Sequence, residues 1–299
     1  MTILDRLISR GPKALILAAK RNLQRHFLSS LGIRYIEVPI FGYRMYLDME
    51  DPGISRALML YRERELETKK ILEELVKPGM KIFDIGTNIG YYINMFLWLT
   101  DCYPIGIEPV EENCRLARLN LKINGYPTVQ VIQAAVSNVI GYQQFNLSEH
   151  SNLGSFHPIN NGRKIPVNVT TLNALSFLYG KPDLIRMDVE GHEVEILSTL
   201  NKDLMPVVVF ETHHDRYTAE HDMKSVMGHL FEIGYYVPII ASANPARTLD
   251  IRKLGYQPED RIRTDATYRT LFRNIRNDDA IDLICGQGGA RMVVLKPKV

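Results

Sequence analysis

An α/β fold built on a mostly parallel sheet is what this sequence predicts, from three observations. Short strand candidates alternate with helical stretches from residue 77 onward. Those strands are largely apolar along their whole length, as strands covered on both faces must be. The first of them runs into Asp84-Ile85-Gly86-Thr87-Asn88-Ile89-Gly90, and Glu108-Pro109 begins twenty-four residues after Asp84. That reads as a buried strand, a glycine turn, a helix start and a second strand ending in a carboxylate. Open sheets of this kind place ligands at the carboxyl ends of their strands.

Residues 3–31 read as a basic helix, with Arg6, Arg10, Lys13, Lys20, Arg21 and Arg25 against the single acid Asp5. Gly11-Pro12 predicts a break in it. Such an arm either makes weak peripheral contact with anionic lipid or docks on the main domain as a solvated helix. Arg34–Val38 and Tyr43–Asp48 predict a hairpin around Phe41-Gly42, and residues 54–76 a helix stopped by Lys77-Pro78-Gly79. Residues 1–76 are therefore an N-terminal helical and hairpin extension packing on the core, and 77–299 the main domain.

Within that domain the strand candidates are Lys81–Ile85, Pro104–Glu108, Val129–Val136, Leu184–Asp188, Pro206–Glu211, Tyr235–Ile239 and Arg291–Leu295. Helices start near Gly90, Glu111, Glu193 and His221. Two segments interrupt the alternation. Residues 140–175 hold strands at Tyr142–Leu147 and Val167–Leu172 around the polar loop Glu149–Asn161. Residues 241–290 form a long insertion with eight Lys/Arg against four Asp/Glu between Arg247 and Arg276. It reads equally as a cover over a substrate and as a structural appendage.

With 299 residues and 45% apolar content, the chain can bury the core of one α/β domain with additions. Its net charge of +2 makes no global electrostatic case for nucleic acid. Cys102, Cys114 and Cys285 are scattered without metal or disulfide spacing, which fits a reducing compartment. No apolar run approaches the roughly 20 residues that cross a bilayer, and Leu15–Ala19 lacks the flanks of a signal peptide. A soluble cytoplasmic protein is expected, with the basic arm as its one route to a membrane surface.

The turn itself constrains the ligand. Gly86 and Gly90 stand four apart and the dinucleotide pattern G-x-G-x-x-G is absent, so close approach to a pyrophosphate is not supported. A nucleoside without phosphates fits better, and S-adenosyl-L-methionine is the commonest of these. Glu108 would accept both ribose hydroxyls, while Gly86 lets the backbone approach the methionine part.

These stretches, with others, resemble the FkbM family of S-adenosylmethionine-dependent methyltransferases. The resemblance is carried by Lys77-Pro78-Gly79, Phe83–Tyr91, Gly106-Ile107-Glu108-Pro109, Asn120-Leu121 with Asn124, Ala134-Ala135-Val136-Ser137 and Ser151–Ser155. Asp188-Val189-Glu190-Gly191-His192-Glu193 and Glu211 complete it, and the first of these makes it specific. The resemblance implies a Rossmann-like sheet of seven strands, the last antiparallel. It also implies methyl transfer to oxygen of a sugar, glycan or secondary metabolite. Asp84, Gly86, Thr87, Asn88, Gly90, Glu108, Pro109, Ala135, Val136 and Asp188 are the expected cofactor contacts, with Gln133 a weak candidate for adenine's edge.

On the acceptor side, Asp188 and Glu190 stand two apart, as do Glu211 and His213, so each pair shares one side of an extended strand end. Asp188 is expected to position acceptor or cofactor. His213, with an ordinary histidine pKa, is expected to take the acceptor's proton, with Glu190 and Glu211 beside it. Glu193 and Glu195 read as acids favouring a helix dipole. Asp188, Glu190, His192, Glu211 and His213 are plausible oxygen and nitrogen ligands for a metal, but no local motif fixes a geometry; no metal is expected, and metal dependence stays open. The alternatives left open are N-methylation of a cationic acceptor, which the acidic cluster would suit, and a non-catalytic adenosyl-binding module. The acceptor's identity and the oligomeric state stay open.

Overall fold

The structure, a computed structural model, describes residues 3–148, 154–157, 162–265 and 267–298. The chain begins with α1 (Ile3–Ser30), followed by the hairpin β1 (Tyr35–Ile40) and β2 (Tyr43–Asp48). Helix α1 runs through Gly11-Pro12 instead of breaking there. Proline removes one hydrogen bond, which can kink a helix without ending it; the Leu- and Ala-rich turn after it favours continuation. Arg21 and Arg25 of α1 donate to the carbonyls of Leu60 and Met49, 2.7 and 3.0 Å away, while Ile16, Leu23 and Phe27 are exposed.

The helix expected over 54–76 is two helices, α2 (Ile54–Tyr61) and α3 (Leu66–Leu75). Arg62 and Glu65 adopt left-handed backbone between them. That break matters, because it delivers Arg64 and Glu65 to the ends of the central strands.

The alternating region then follows: β3 (Lys81–Ile85), α4 (Tyr91–Leu99), β4 (Tyr103–Glu108), α5 (Glu111–Ile123) and β5 (Val131–Gln133). The strand expected over 129–136 is divided at Ala134, whose N–H bonds the carbonyl of Glu108. Its second piece, β6 (Ala135–Val136), joins β7 (Gly141–Leu147) and β8 (Arg163–Thr170) in a separate small sheet. Next come α6 (Leu172–Tyr179), β9 (Leu184–Met187), α7 (Glu193–Leu197), β10 (Val207–Glu211), α8 (Met223–Glu232) and β11 (Tyr235–Ser242). The last elements are α9 (Pro245–Lys253), β12 (Arg261–Thr264), β13 (Thr267–Ile275), α10 (Asn277–Ile281) and β14 (Ala290–Pro297).

The main sheet has nine strands in the order β12-β13-β11-β14-β10-β9-β3-β4-β5. The seven expected strands are its β11-to-β5 portion, with β14 antiparallel to both neighbours. The two extra strands come from the 241–290 insertion. Strand β13 found an unpaired sheet edge in β11 and extends it, since an open edge presents unmet N–H and C=O groups. The insertion also grips α3, where Arg269 pairs with buried Glu67.

Alternate residues of one strand serve two cores. In β10, Val208 and Phe210 pack into one cluster with Met227 and Leu230 of α8, whereas Val209 faces another with Tyr91, Met95 and Leu58. Both faces are therefore covered, which explains the unbroken apolar runs. No helix among the described residues is long and apolar enough to cross a membrane.

Candidate active site

Parallel register brings the acidic strand ends together. Asp84 lies opposite Arg186, and Met187 opposite Phe210, so Asp188 and Glu211 follow side by side one residue further on. A cleft with about 820 Å³ of empty space, open solvent included, runs along these ends.

Its first wall is the turn after β3. Gly86 and Gly90 have φ of +73° and +86°, and Asn88 is also left-handed. The N–H groups of Gly86 and Thr87 bond the carbonyl of Ile107, which ties the turn to β4. Glu108, at the tip of β4, accepts from the N–H of Asn88 and Val110, both at 3.0 Å, and from Asn113 Nδ2 at 3.1 Å. Burial pushes its carboxyl up to about 7, against those donors.

Gly86, Thr87, Asn88, Glu108, Pro109, Ala135, Val136, Asp188 and Glu190 all line the cleft. Asp84 and Gly90 lie behind it. Asp84 is fully buried and accepts from Thr87 Oγ1 at 2.5 Å, so it braces the turn from below. Gly90 faces α5, where a Cβ would stand 3.2 Å from the Cα of Ala117. Gln133 is exposed and outside the lining, which near β6 is apolar: Ile107, Val110, Ala134, Phe145 and Phe156. Of the polar loop, Ser151 and Asn152 lie outside the described residues; Ser155 Oγ donates to the carbonyl of Glu190 and His157 bonds that of Gly191.

Several buried charged side chains at or beside the cleft escaped the sequence reading. Arg186, 2% exposed, reaches Asp84 at 3.4 Å and Asp188 Oδ2 at 3.3 Å, and its guanidinium stacks 3.9 Å from the Tyr92 ring. A lone arginine in the apolar run Leu184-Ile185-Arg186-Met187 was the available signal. Buried Glu65 accepts from the Tyr92 hydroxyl; burial opposes its charge, but Arg64, Arg291 and Arg186 outweigh that and hold its pKa below the usual range. Arg291 of β14 pairs with Glu211.

His213 stands among four carboxylates. Its Nδ1 meets Glu193 Oε1 at 2.8 Å, and its Nε2 faces Glu190 Oε2 at 3.3 Å, Glu211 Oε1 at 3.4 Å and Asp188 Oδ1 at 3.8 Å. Burial opposes protonation, yet Glu193, Glu190 and Glu211 overcome it and set the pKa well above the ordinary value. The premise of a histidine with an ordinary pKa therefore does not hold. Glu193, fully buried, braces His213 from the first turn of α7, beyond any part in the helix dipole. His192 bonds Ser137 Oγ at 2.9 Å and lines the cleft, while His214 and His221 bond Gly286 and Glu195 outside its lining.

A model of the methyltransferase FkbM domain matches residues 84–237, which contain the β3 turn, the β4 tip and the Asp188–His213 cluster. The chain belongs to the FkbM methyltransferase family. As such it is a methyltransferase that takes its methyl group from S-adenosyl-L-methionine. The cleft suits that cofactor: a buried carboxylate at the tip of β4, an apolar slot beside it, and a glycine turn where the backbone is bare. A ribosomal protein L11 methyltransferase from Caldanaerobacter subterraneus subsp. tengcongensis is 30% identical over 84 residues. That match covers 28% of this chain and 27% of the relative, so the chain spans about a quarter of its length. Two solved structures are similar at low identity. One is a precorrin-8w decarboxylase from Methanobacterium thermoautotrophicum (TM-score 0.42, 12% identity, 87% of this chain and all of that one). The other is TYW2 from P. horikoshii in complex with MeSAdo (TM-score 0.43, 11% identity, 93% and 83%).

Proposed function

We propose that this FkbM methyltransferase methylates a hydroxyl group of a sugar-like or secondary-metabolite acceptor. The observation that carries the reading is Glu190, which both lines the cleft and contacts His213 Nε2 at 3.3 Å. A hydroxyl is a poor nucleophile until its proton leaves, so the acceptor side needs a fixed proton acceptor within hydrogen-bond reach.

In this reading Gly86, Thr87, Asn88, Glu108, Pro109, Ala135 and Val136 hold the cofactor, and Asp84 and Gly90 support them from behind. The bound cofactor supplies an electrophilic methyl carbon. Asp188, held at Oδ2 by Arg186, orients the acceptor at the cleft edge. Glu190 takes the hydroxyl proton, and His213 stabilises the carboxylates around it. Burial of this cluster excludes water, which strengthens each contact.

The four carboxylates around His213 also favour a second reading, N-methylation of a cationic acceptor, including an amine on a protein. The relative named for ribosomal protein L11 supports only the part of that reading in which the acceptor is a protein. Product analysis separates them. With labelled S-adenosylmethionine and pooled hydroxyl and amine acceptors, the proposal expects label as a methyl ether. Label recovered only as methylamine would replace it with the second reading.

A further inference from the structure

We infer that Asp188, Glu211 and His213 form a binding site for one divalent cation of the manganese type. This deepens the reading above, because the ion would sit where the acceptor hydroxyl is placed. Ligand atoms from the three residues lie within 4.8 Å of one another. The imidazole is pre-oriented, since Glu193 holds Nδ1 at 2.8 Å and turns Nε2 toward the carboxylates. A carboxylate behind a histidine is the usual support of a metal-bound imidazole.

A second observation points to a ligand independently. Each carboxylate is hydrogen-bonded or ion-paired to an arginine at one oxygen and has no hydrogen-bond partner at the other, although Asp188 Oδ1 lies 3.8 Å from His213 Nε2. Arg186 holds Asp188 Oδ2 and Arg291 holds Glu211 Oε1. Asp188 Oδ1 and Glu211 Oε2 are buried without a hydrogen-bond partner, and Glu211 is only 2% exposed. Buried acceptors left unmet cost free energy that a cation would recover.

Two carboxylates with one imidazole suit a hard or borderline ion that keeps open positions for water or an acceptor oxygen. The hydroxyl would occupy such a position, with Glu190 beside it to accept the proton. A thiolate-loving ion is disfavoured, because Cys102, Cys114 and Cys285 lie elsewhere.

The test is titration of chelator-treated, full-length protein with Mn²⁺, read by the electron paramagnetic resonance of the free ion. One ion per chain is expected, and its spin-echo spectrum should carry the nitrogen modulation of one imidazole. His213→Ala should lower the affinity at least tenfold and Glu193→Gln roughly tenfold, with S-adenosylhomocysteine binding retained in both. Absence of stoichiometric binding, absence of the nitrogen signal, or unchanged affinity in folded His213→Ala overturns the site. If a variant does not fold, the wild-type spectrum decides alone. Methyl ether formation without Mn²⁺ binding sinks only the ion, whereas Mn²⁺ binding with a methylamine product sinks only the hydroxyl reading.

Discussion

A β-carbon on Gly86 would lie 2.1 Å from the carbonyl oxygen of Asp188. The β3 turn and the carboxylate cluster that begins at Asp188 are thus in backbone contact. Asp188 N also bonds the carbonyl of Ile85, at 3.2 Å. Gly86→Ala adds left-handed strain to a clash with main chain, which has no rotamer to relieve it. Denaturant unfolding should show a loss of about 2–4 kcal/mol. A variant as stable as the parent would contradict this packing.

With Glu108 as the proposed ribose acceptor, cofactor binding is predicted to depend on pH. Its folded pKa is raised to about 7 by burial, so its ionised form, the better acceptor for ribose hydroxyls, is lost as pH falls through neutrality. Affinity for S-adenosylhomocysteine should fall roughly tenfold from pH 8 to 6. For the free protein the sign reverses: stability from the neutral carboxyl is full below its unfolded pKa and fades as pH rises through 7. Glu108→Gln should flatten both profiles; an unaltered slope would assign them to another group.

Arg186 is predicted to be structural and functional at once. Removing it leaves Asp84 buried without its cationic partner, which typically costs about 3–5 kcal/mol. Arg186→Met should therefore lower the unfolding free energy strongly, and adding Asp84→Asn should recover part of the loss. No recovery in the double variant would argue against the pair.

Much of this site was readable because local chemistry carried it. The β3 turn, Glu108 and the acids at the ends of β9 and β10 are marked by residue type and spacing, and seven of the strands follow from their apolar runs. Partners set by the fold were not readable. Arg291 meets Glu211 across eighty residues only because β14 pairs antiparallel with β10. Glu65 reaches the cleft through a helix break whose residues, Arg62 to Glu65, carry no glycine or proline. The pKa of His213 depended on Glu193, whose position in a first helical turn suggested a milder role.

Turnover should separate from binding at Glu190. Glu190→Gln keeps size and a polar contact but cannot take a proton, so kcat should fall about 10²–10⁴-fold with the KM for S-adenosylmethionine little changed. Full activity in that variant would remove Glu190 as the proton acceptor.

The division of labour along the cleft is tested most directly by calorimetry of S-adenosylhomocysteine with three proteins: the parent, Glu108→Ala and Glu190→Gln. The account predicts one site per chain in the parent. It predicts affinity at least tenfold weaker in Glu108→Ala, from the loss of hydrogen bonds to a charged acceptor, and within about twofold of the parent in Glu190→Gln. Undiminished binding by folded Glu108→Ala would contradict it.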